Sequence, residues 1–188
     1  MSKSIFTQKA LAEAFKNLLL EMPLSKVSIK DIVARCGISR NAYYYYYKDK
    51  YELMWWIVEY ELKEIVKIYD PSLELSDTYA AIFHHFYNNK KFYYTCLEYQ
   101  GQNSLYHYLS NLFFDLTYEK LKELYIDENI DIYSVPIDIY SSMLSMSMLE
   151  NLRMWHNSCF TENYKEYIEP VNAYINLVVG QLIETHRN

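Results

Sequence analysis

Apolar side chains recur every three or four residues along nearly the whole chain, which is the spacing of one face of an α-helix. The first such face, over residues 4–21, carries Leu11, Phe15 and Leu18. Pro23 ends this helix, because a proline pushes the residue before it out of the helical region. The same spacing predicts further helices over residues 28–35, 39–46, 50–69, 76–88, 91–100, 103–126, 136–157 and 161–186. No segment alternates apolar and polar residues, so the sequence predicts no strand.

Near the N-terminus, two short predicted helices joined by a tight turn form a helix-turn-helix pattern. Ser28 is placed to cap the first of them, and Asp31 completes a pair of the capping-box kind. Gly37 stands where a helix end needs a positive φ angle, and Ser39 is placed to cap the second helix. The second helix of such a unit enters the major groove of DNA and meets base edges with its N-terminal residues. The pattern therefore predicts DNA binding.

Arg40, Asn41 and Ala42 are the N-terminal residues of that second helix, and each suits a base contact. An arginine donates two hydrogen bonds to guanine, an asparagine bridges two edge atoms of adenine, and an alanine touches a thymine methyl group. These three residues are predicted to read the DNA sequence.

Five consecutive tyrosines follow on the same helix. Tyr43 and Tyr47 lie four residues apart and share one side, which is predicted to be buried against the first helix. Tyr44 and Tyr46 point elsewhere and are predicted to place their hydroxyls on phosphate oxygens. The alternative is that the run is a core patch in a chain with 22 tyrosines. The adjacent cap, glycine and lysines favour the DNA interpretation.

The formal net charge of −6 is unevenly divided along the chain. Residues 1–50 carry nine Lys or Arg against four Asp or Glu, a net of +5, whereas residues 51–188 carry a net of −11. This asymmetry predicts that the N-terminal part meets a polyanion. Lys48 and Lys50 lie near the start of a predicted helix, where a cation and unpaired backbone amides both favour phosphate. Both lysines are predicted to contact DNA phosphates.

The stretch Ile32–Leu53 resembles the signature of TetR/AcrR-type transcription regulators, in contiguous residues and with matching spacing. The residues that match directly are Gly37, Ser39, Tyr44, Lys50 and Leu53. The residues that depart from the signature, in place of a glycine, a threonine, a histidine and a phenylalanine, are Asn41, Ala42, Tyr46 and Tyr47. The threonine contact is lost at Ala42, which alters the target sequence, whereas the hydroxyl of Tyr46 can still bond phosphate.

This resemblance implies an all-α fold in which an N-terminal three-helix helix-turn-helix domain, residues 1–50, is joined by a long helix to a C-terminal helical domain, residues 51–188. The C-terminal domain is expected to bind a small-molecule effector and to form a homodimer. Such a protein is a sequence-specific transcription regulator of the cytoplasm, expected to be a repressor, that binds a palindromic operator in double-stranded DNA. The resemblance also gives Tyr44, Tyr46 and Lys50 as phosphate contacts and Ser28 as a contact to the DNA backbone. Ser39 is predicted to contact phosphate as well.

A second resemblance covers part of the C-terminal half. The segments Lys91–Leu105 and Leu152–Thr161, the latter with Trp155, are similar to the C-terminal domain of a Firmicutes branch that includes dihydroxyacetone-kinase regulators. This resemblance points to a subfamily and assigns no ligand.

Regulators of this family usually dimerise through their last two long helices, packed with the partner's pair as a four-helix bundle. Both of the corresponding predicted helices carry apolar stripes at three- and four-residue spacing. The residues predicted to form the dimer interface are Leu144, Met148, Leu152, Ile168, Val171, Ile175, Val178 and Leu182. The alternative is that either stripe faces the core of its own chain.

Aromatic and amphipathic residues on the helices that commonly line the family's pocket are candidates for the effector site. The residues predicted to line it are Glu98, Tyr99, His107, Tyr140 and Trp155. Carboxylates beside aromatic rings suit a cationic aromatic or amphipathic compound. Taken singly, each aromatic residue is better explained as ordinary core.

Other classes of protein fit the sequence less well. The longest apolar runs fall short of about 18 residues, so no membrane span is predicted. The three cysteines are far apart and are expected to be reduced, and no compact His and Cys spacing predicts a metal site or another cofactor. An all-helical enzyme is a second hypothesis, against which stands the lack of a nucleophile elbow, a zinc-protease motif or a phosphate-binding glycine loop. A third is a co-activator-dependent regulator or interaction protein whose C-terminal domain binds a partner protein instead of a metabolite.

Overall fold

The computed structural model describes residues 4–68, 74–158 and 163–187, and every regular element in these ranges is an α-helix. The helices are α1 (Ile5–Leu19), α2 (Ile29–Cys36), α3 (Arg40–Tyr46), α4 (Lys50–Ile68), α5 (Leu75–Asn88), α6 (Lys90–Leu97), α7 (Leu105–Asp127), α8 (Ile137–Asn157) and α9 (Tyr164–His186). The predicted all-α fold class is confirmed. The predicted end of one helix at residue 69 and start of another at residue 161 lie outside the described residues. Within those residues, no helix is long and apolar enough to cross a membrane.

Helix ends differ from the predicted boundaries by a few residues, for local reasons. α1 stops at Leu19, where the chain turns so that the backbone N–H of Met22 donates to the carbonyl of Leu18 at 3.0 Å. α6 ends at Leu97, whose carbonyl accepts a hydrogen bond from the side-chain amide of Gln100 at 2.9 Å. These turns satisfy carbonyls that a longer helix would have bonded to its own backbone.

The chain forms two compact units, and the first contains the N-terminal helices. This unit extends to Glu64 within α4 and also includes Asn89–Leu105, with α6. α1 packs on α2 and on α6. Phe15 of α1 is fully buried, and its ring meets that of Phe92 edge-on, with the ring centroids 6.5 Å apart. The aromatic contact therefore ties α6 into the core of the first unit.

A polar cluster also joins α1, α4 and α6. Glu61 forms an ion pair with Lys16 and accepts a hydrogen bond from the hydroxyl of Tyr93 at 3.1 Å. Tyr93 is fully buried, so its hydroxyl requires an acceptor within the protein. The sequence prediction divided the chain at residue 50, whereas this packing keeps α6 and most of α4 with the N-terminal helices.

The second unit contains Ile65–Asn88 and the chain from Tyr106 onwards, and in it α5 packs along α9. Trp155 of α8 is fully buried at the centre of an aromatic stack. Its ring lies 4.9 Å from that of Tyr167 and 5.8 Å from that of Tyr87, with interplanar angles of 9° and 5°. Offset stacking of this kind adds to the stabilisation that burial alone provides.

Most of the predicted dimer interface is core within the single chain. Six of its eight residues are buried: Leu144, Met148, Leu152, Ile168, Val171 and Ile175. These side chains pack against helices of their own chain, which corrects the prediction. Helical spacing identifies an apolar face, but the spacing is the same whether the face is covered by the same chain or by a partner.

The outward faces of α8 and α9 carry a different set of apolar side chains. Met143 and Met146 on α8 are 65% and 67% exposed, and Leu177 on α9 is 70% exposed. The other exposed apolar residues on these two helices are Ile139, Met154 and Tyr174. Val178 and Leu182, from the predicted interface, are partly exposed.

Candidate nucleic-acid interface

α2 begins and ends as the sequence predicts. The Ser28 hydroxyl accepts a hydrogen bond from the backbone N–H of Asp31 at 3.3 Å, and the Asp31 carboxylate accepts one from the backbone N–H of Ser28 at 3.0 Å. The Ser28 hydroxyl also donates to that carboxylate, and these bonds hold the pKa of Asp31 below its ordinary value. Gly37 ends the helix with a φ of 74°, a left-handed conformation that favours glycine. The predicted capping box and glycine cap are confirmed.

Three residues separate α2 from α3, which is the short connection of a helix-turn-helix. The last of them, Ser39, caps α3, because its hydroxyl oxygen accepts a hydrogen bond from the backbone N–H of Ala42 at 3.1 Å. Ser39 is exposed and uses its hydroxyl only as an acceptor in this bond, so the hydroxyl proton can be donated to an acceptor outside the protein, such as a phosphate oxygen.

Two of the five consecutive tyrosines hold α3 to the rest of the first unit. Tyr43 is fully buried and its hydroxyl donates to the backbone carbonyl of Asp49 at 3.0 Å. Tyr47 is 3% exposed and accepts a hydrogen bond from the side-chain amide of Gln8, on α1, at 3.1 Å. Burial is the main cause that raises the pKa of both phenols. The predicted inward face of the tyrosine run is confirmed.

The opposite face of α3 points to solvent. Arg40 and Asn41 are exposed, and Tyr44 and Tyr45 are 53% and 49% exposed. Arg40 and Tyr44 lie four residues apart, as do Asn41 and Tyr45, so the two pairs form adjacent stripes on this part of the helix. Tyr45 was missed by the sequence prediction; the helical spacing from Asn41 was the signal that could have found it.

Ala42 and Tyr46 lie at the edge of that exposed face, where both side chains are partly buried. The ring of Tyr46 meets the ring of Tyr45 edge-on, with centroids 5.1 Å apart. The structure therefore places the three predicted base-reading residues in the first turn of a seven-residue helix, with the two predicted phosphate-binding tyrosines one turn further along.

Lys50 has partners within the chain. Its ammonium group donates hydrogen bonds to the backbone carbonyls of Leu24 and Val27, at 2.7 and 2.8 Å, and reaches that of Ser25 at 3.3 Å. Burial lowers the pKa of the ammonium. The sequence prediction placed Lys50 on a DNA phosphate, whereas the structure directs all three of its protons to the turn that precedes α2.

Other cations around α2 and α3 are exposed. Lys26, Lys30, Arg40 and Lys48 point to solvent, and within the described ranges none of the four forms an ion pair. Arg35, by contrast, is neutralised by both carboxylate oxygens of Glu21, each at 2.8 Å. Lys26 and Lys30 were missed by the sequence prediction, although they flank Ser28. The first unit therefore presents four exposed cations on α2 and α3 and in the segments beside these helices.

Glu98 and Tyr99, predicted for the effector site, lie in the first unit. Glu98 follows the last residue of α6 and is exposed. The ring of Tyr99 stacks on that of Tyr51, with centroids 5.0 Å apart. Stacking against the start of α4 accounts for Tyr99 without a ligand.

His107, Tyr140 and Trp155 lie in the second unit and do not form one pocket. Tyr140 and Trp155 are fifteen residues apart on α8, which places them about 22 Å apart along the helix axis. Tyr140 lies beside the ring of His186, Trp155 is enclosed in the aromatic stack, and His107 is exposed. The prediction that these residues line one site is therefore corrected. It was based on residue type, which does not show whether residues lie close together. The described residues also contain no group of three or more side chains able to hold a metal ion.

Comparison with known proteins agrees with this architecture. Residues 11–54 match the family described as "Bacterial regulatory proteins, tetR family", and residues 74–177 match "Transcriptional regulator C-terminal region". The second match alone covers more than half of the chain. A stretch of 66 residues is 38% identical to the HTH-type dhaKLM operon transcriptional activator DhaS of Lactococcus lactis subsp. lactis (strain IL1403). That stretch spans 35% of each protein, so the match covers about a third of the relative's length.

Solved structures share the fold over nearly the whole chain. The dihydroxyacetone kinase operon activator DhaS matches with a TM-score of 0.67 and 18% identity, over 98% of this chain and 100% of its own. A TetR-family regulator from Syntrophomonas wolfei str. Goettingen matches with a TM-score of 0.71 and 16% identity, over 92% and 94% of the two chains. At these identities the likeness shows the fold alone. Together with the family matches, it shows that this chain belongs to the TetR family of bacterial transcription regulators, and not to a family of enzymes.

Proposed function

We propose that this chain regulates transcription as a homodimer that binds a palindromic operator, with α3 of each protomer in the major groove. The observation that carries this proposal is the exposed face of α3 beside four unpaired cations of the first unit. Counterion release from DNA phosphates favours the binding of such a surface to a duplex. The protein acts where the bacterial chromosome lies, in the cytoplasm.

Base reading and phosphate binding fall to different residues in this proposal. Arg40, Asn41 and Ala42 meet base edges at the N-terminal end of α3, and the exposed ring of Tyr45 extends that surface. The proposed phosphate contacts are Ser39, Tyr44, Tyr46, Lys48, Lys26 and Lys30. Ser28, predicted from the sequence, is left out because its hydroxyl and its backbone N–H both donate to Asp31. Phosphate contacts fix the register of the protein on DNA, while base contacts select the sequence.

The exposed apolar faces of α8 and α9 are the proposed dimer surface. Between them lies a groove of about 570 Å³ whose lining includes Ser147, Asn151, Tyr167 and Tyr174. A second copy related by a two-fold axis would place the exposed methionines of α8 and Leu177 over this groove. Dimerisation would space two α3 helices for half-sites about 34–36 Å apart.

Control is proposed to act through the second unit. A bound effector would shift the population between dimer states that differ in the separation of the two α3 helices. The sequence resemblance implies a repressor, while the 38% identical relative is, by its name, an activator. A reporter gene behind the chain's own promoter, with and without the protein, gives the direction: we expect higher expression without it.

A selection from random DNA duplexes, followed by gel shifts on the selected operator, tests DNA binding. Arg40→Ala should weaken operator binding by about 1–3 kcal/mol and relax the sequence preference at one position of each half-site. Lys26→Ala should weaken binding to operator and to unrelated DNA by similar factors, because it contacts phosphate. The matched control is Arg187→Ala, whose side chain pairs with Glu128 in the second unit.

Failure to select any sequence at low salt would overturn the proposal. Equal losses on operator and unrelated DNA for Arg40→Ala would remove its base-reading role. Operator binding that requires added cell extract would favour the co-activator-dependent alternative.

A further inference from the structure

A cavity in the second unit is separate from every residue predicted for the effector site. It has a volume of about 360 Å³ and lies between the start of α5, the C-terminal half of α7 and the C-terminal half of α9. Pockets for small organic ligands begin at about 300 Å³. On α9, the lining residues Asn176, Val179, Gly180 and Ile183 recur every three or four positions, so that one face of the helix forms one wall.

The floor of the cavity is apolar. Leu75 and Leu121 are buried beneath it, whereas Leu124, Val179 and Ile183 are only partly buried. Covering these three side chains would remove further apolar surface from water, at about 25 cal/mol per Å². The floor therefore suits the hydrocarbon part of a ligand.

The rim of the cavity carries an excess of negative charge. Its titratable residues are Glu74, Glu123, Asp127 and Lys120. Lys120 pairs with Glu123 at 3.2 Å. Among the described residues, no Lys or Arg forms an ion pair with Glu74 or Asp127, and the Glu74 carboxylate accepts a 3.5 Å hydrogen bond from the Ser76 hydroxyl alone. Two carboxylates of the rim, those of Glu74 and Asp127, thus border the apolar floor with no ion-pair partner in the described part of the chain.

The end of α7 adds to this negative field. A helix C-terminus carries a partial negative charge, and basic residues normally offset it. The last turn of α7 contains no basic residue and closes with Asp127. The carboxylate and the helix end act in the same direction, so a positive group in the cavity would be favoured.

Gly180 leaves one wall of the cavity without a side chain. A glycine within a helix costs about 1 kcal/mol relative to alanine, and it is usually explained by a close neighbour. Here a Cβ atom at position 180 would have no heavy atom beyond its own helix within 4 Å. Packing within the chain therefore does not require this glycine. The space that a side chain at position 180 would fill is available to a ligand.

From these features we infer that the cavity binds an amphipathic organic cation, with a protonated amine against Asp127 and Glu74 and its apolar part on Leu124, Val179 and Ile183. The inference rests on the proposed function only for its consequence, which is that the cation controls operator binding. Binding itself is measurable on the full chain without DNA.

Calorimetric titration of the full chain with three matched probes tests the charge preference. The probes are 4-phenylbutylammonium, 4-phenylbutanol and 4-phenylbutanoate, which share their hydrocarbon and differ in charge. We expect the ammonium to bind about tenfold more tightly than the alcohol, and the carboxylate to bind least. Equal affinities for the three probes, or no heat with the ammonium, would overturn the inference.

Variants locate the site. Glu74→Gln with Asp127→Asn should bring the affinity for the ammonium to within about threefold of that for the alcohol. Gly180→Leu should abolish binding by filling the cavity, and it should not impair folding, because leucine favours a helix more than glycine does. The control pair, Glu119→Gln with Glu184→Gln, lies on the same two helices outside the cavity and should bind as the original chain does. Unchanged binding in the first two variants would contradict the assignment.

Gel shifts with and without the ammonium probe separate the two proposals. A change in operator affinity that disappears in Gly180→Leu supports the cavity as the control site. If the chain fails to bind any operator while the calorimetric preference persists, the proposed function is overturned and the cavity assignment stands.

Discussion

Two lysines of the first unit, Lys48 and Lys50, lie two positions apart in the sequence but have different surroundings. Lys48 is exposed beside the recognition helix, whereas Lys50 donates to carbonyls of the turn before α2. Lys50 matches the family signature by position, but its partners lie 23 to 26 residues earlier in the chain. Local sequence could not reveal them, because the contacts exist only once α1, α2 and α4 have packed.

Replacement of Lys50 is expected to reduce stability. Lys50→Met keeps most of the aliphatic stem but removes the donors for partly buried carbonyls, which should lower the free energy of unfolding by about 1–2 kcal/mol. Urea unfolding followed by circular dichroism measures this change. Lys48→Met is the matched control: it should leave stability nearly unchanged and weaken binding to DNA of any sequence. Unchanged stability in Lys50→Met, with weaker DNA binding, would restore its predicted role on phosphate.

At the scale of elements, α2 and α3 are too short to be stable alone, and their caps and tertiary contacts compensate for this. The sequence was sufficient to predict the caps, because a capping box and a glycine end involve residues only a few positions apart. It was also sufficient to divide the tyrosines into two faces. It could not predict Gln8 as the partner of Tyr47, since the pair is 39 residues apart.

The capping box of α2 gives a prediction on acid sensitivity. Ser28→Ala should lower the free energy of unfolding by about 1 kcal/mol near neutral pH, as loss of an N-cap does. The Ser28 hydroxyl and backbone hold the pKa of Asp31 below its ordinary value. The stabilisation by Asp31 is therefore present above the pKa of the unfolded carboxyl and is lost as the pH falls through that of the folded one.

Unfolding measured from about pH 6 to pH 3 should show this dependence weakened in Ser28→Ala. Ser25→Ala is the matched control, because Ser25 is an exposed serine before the same helix and caps nothing. Identical acid dependence in Ser28→Ala and the original chain would contradict the role of the box.

For the whole molecule, periodicity predicted nine helical faces but not what covers each one. The stripe of Leu144, Met148 and Leu152 proved to be core, and the exposed methionines lie one or two positions away on the same helix. Apolar side chains of the same types, at the same helical spacing, fill the core of one chain or an interface between two chains. Assigning them requires the positions of the neighbouring helices, which no local pattern contains.

A double substitution on the outward faces tests the proposed dimer. Met146→Lys with Leu177→Lys should give a monomer by light scattering, because two charged groups per protomer would be buried in the interface. The loss of the dimer should lower operator affinity, since each protomer would then bind its half-site alone. Ile126→Lys, at an exposed apolar position on α7, is the control and should leave the dimer intact. An unchanged mass for the double variant would place the interface elsewhere.

The position of α6 has a consequence for engineering this protein. The chain leaves the first unit after Glu64, returns at Asn89 and leaves again after Leu105, so the DNA-binding unit is not a contiguous piece of the gene. A chimaera joined at residue 64 would omit Phe92 and Tyr93, so Phe15 would lose its ring contact and Glu61 would lose the hydrogen bond from Tyr93. A chimaera joined at residue 50 would omit Glu61 as well. The second unit is better exchanged as two inserts, which replace residues 65–88 and the described residues after Leu105. A functional transplant of residues 1–64 alone would show that α6 is dispensable.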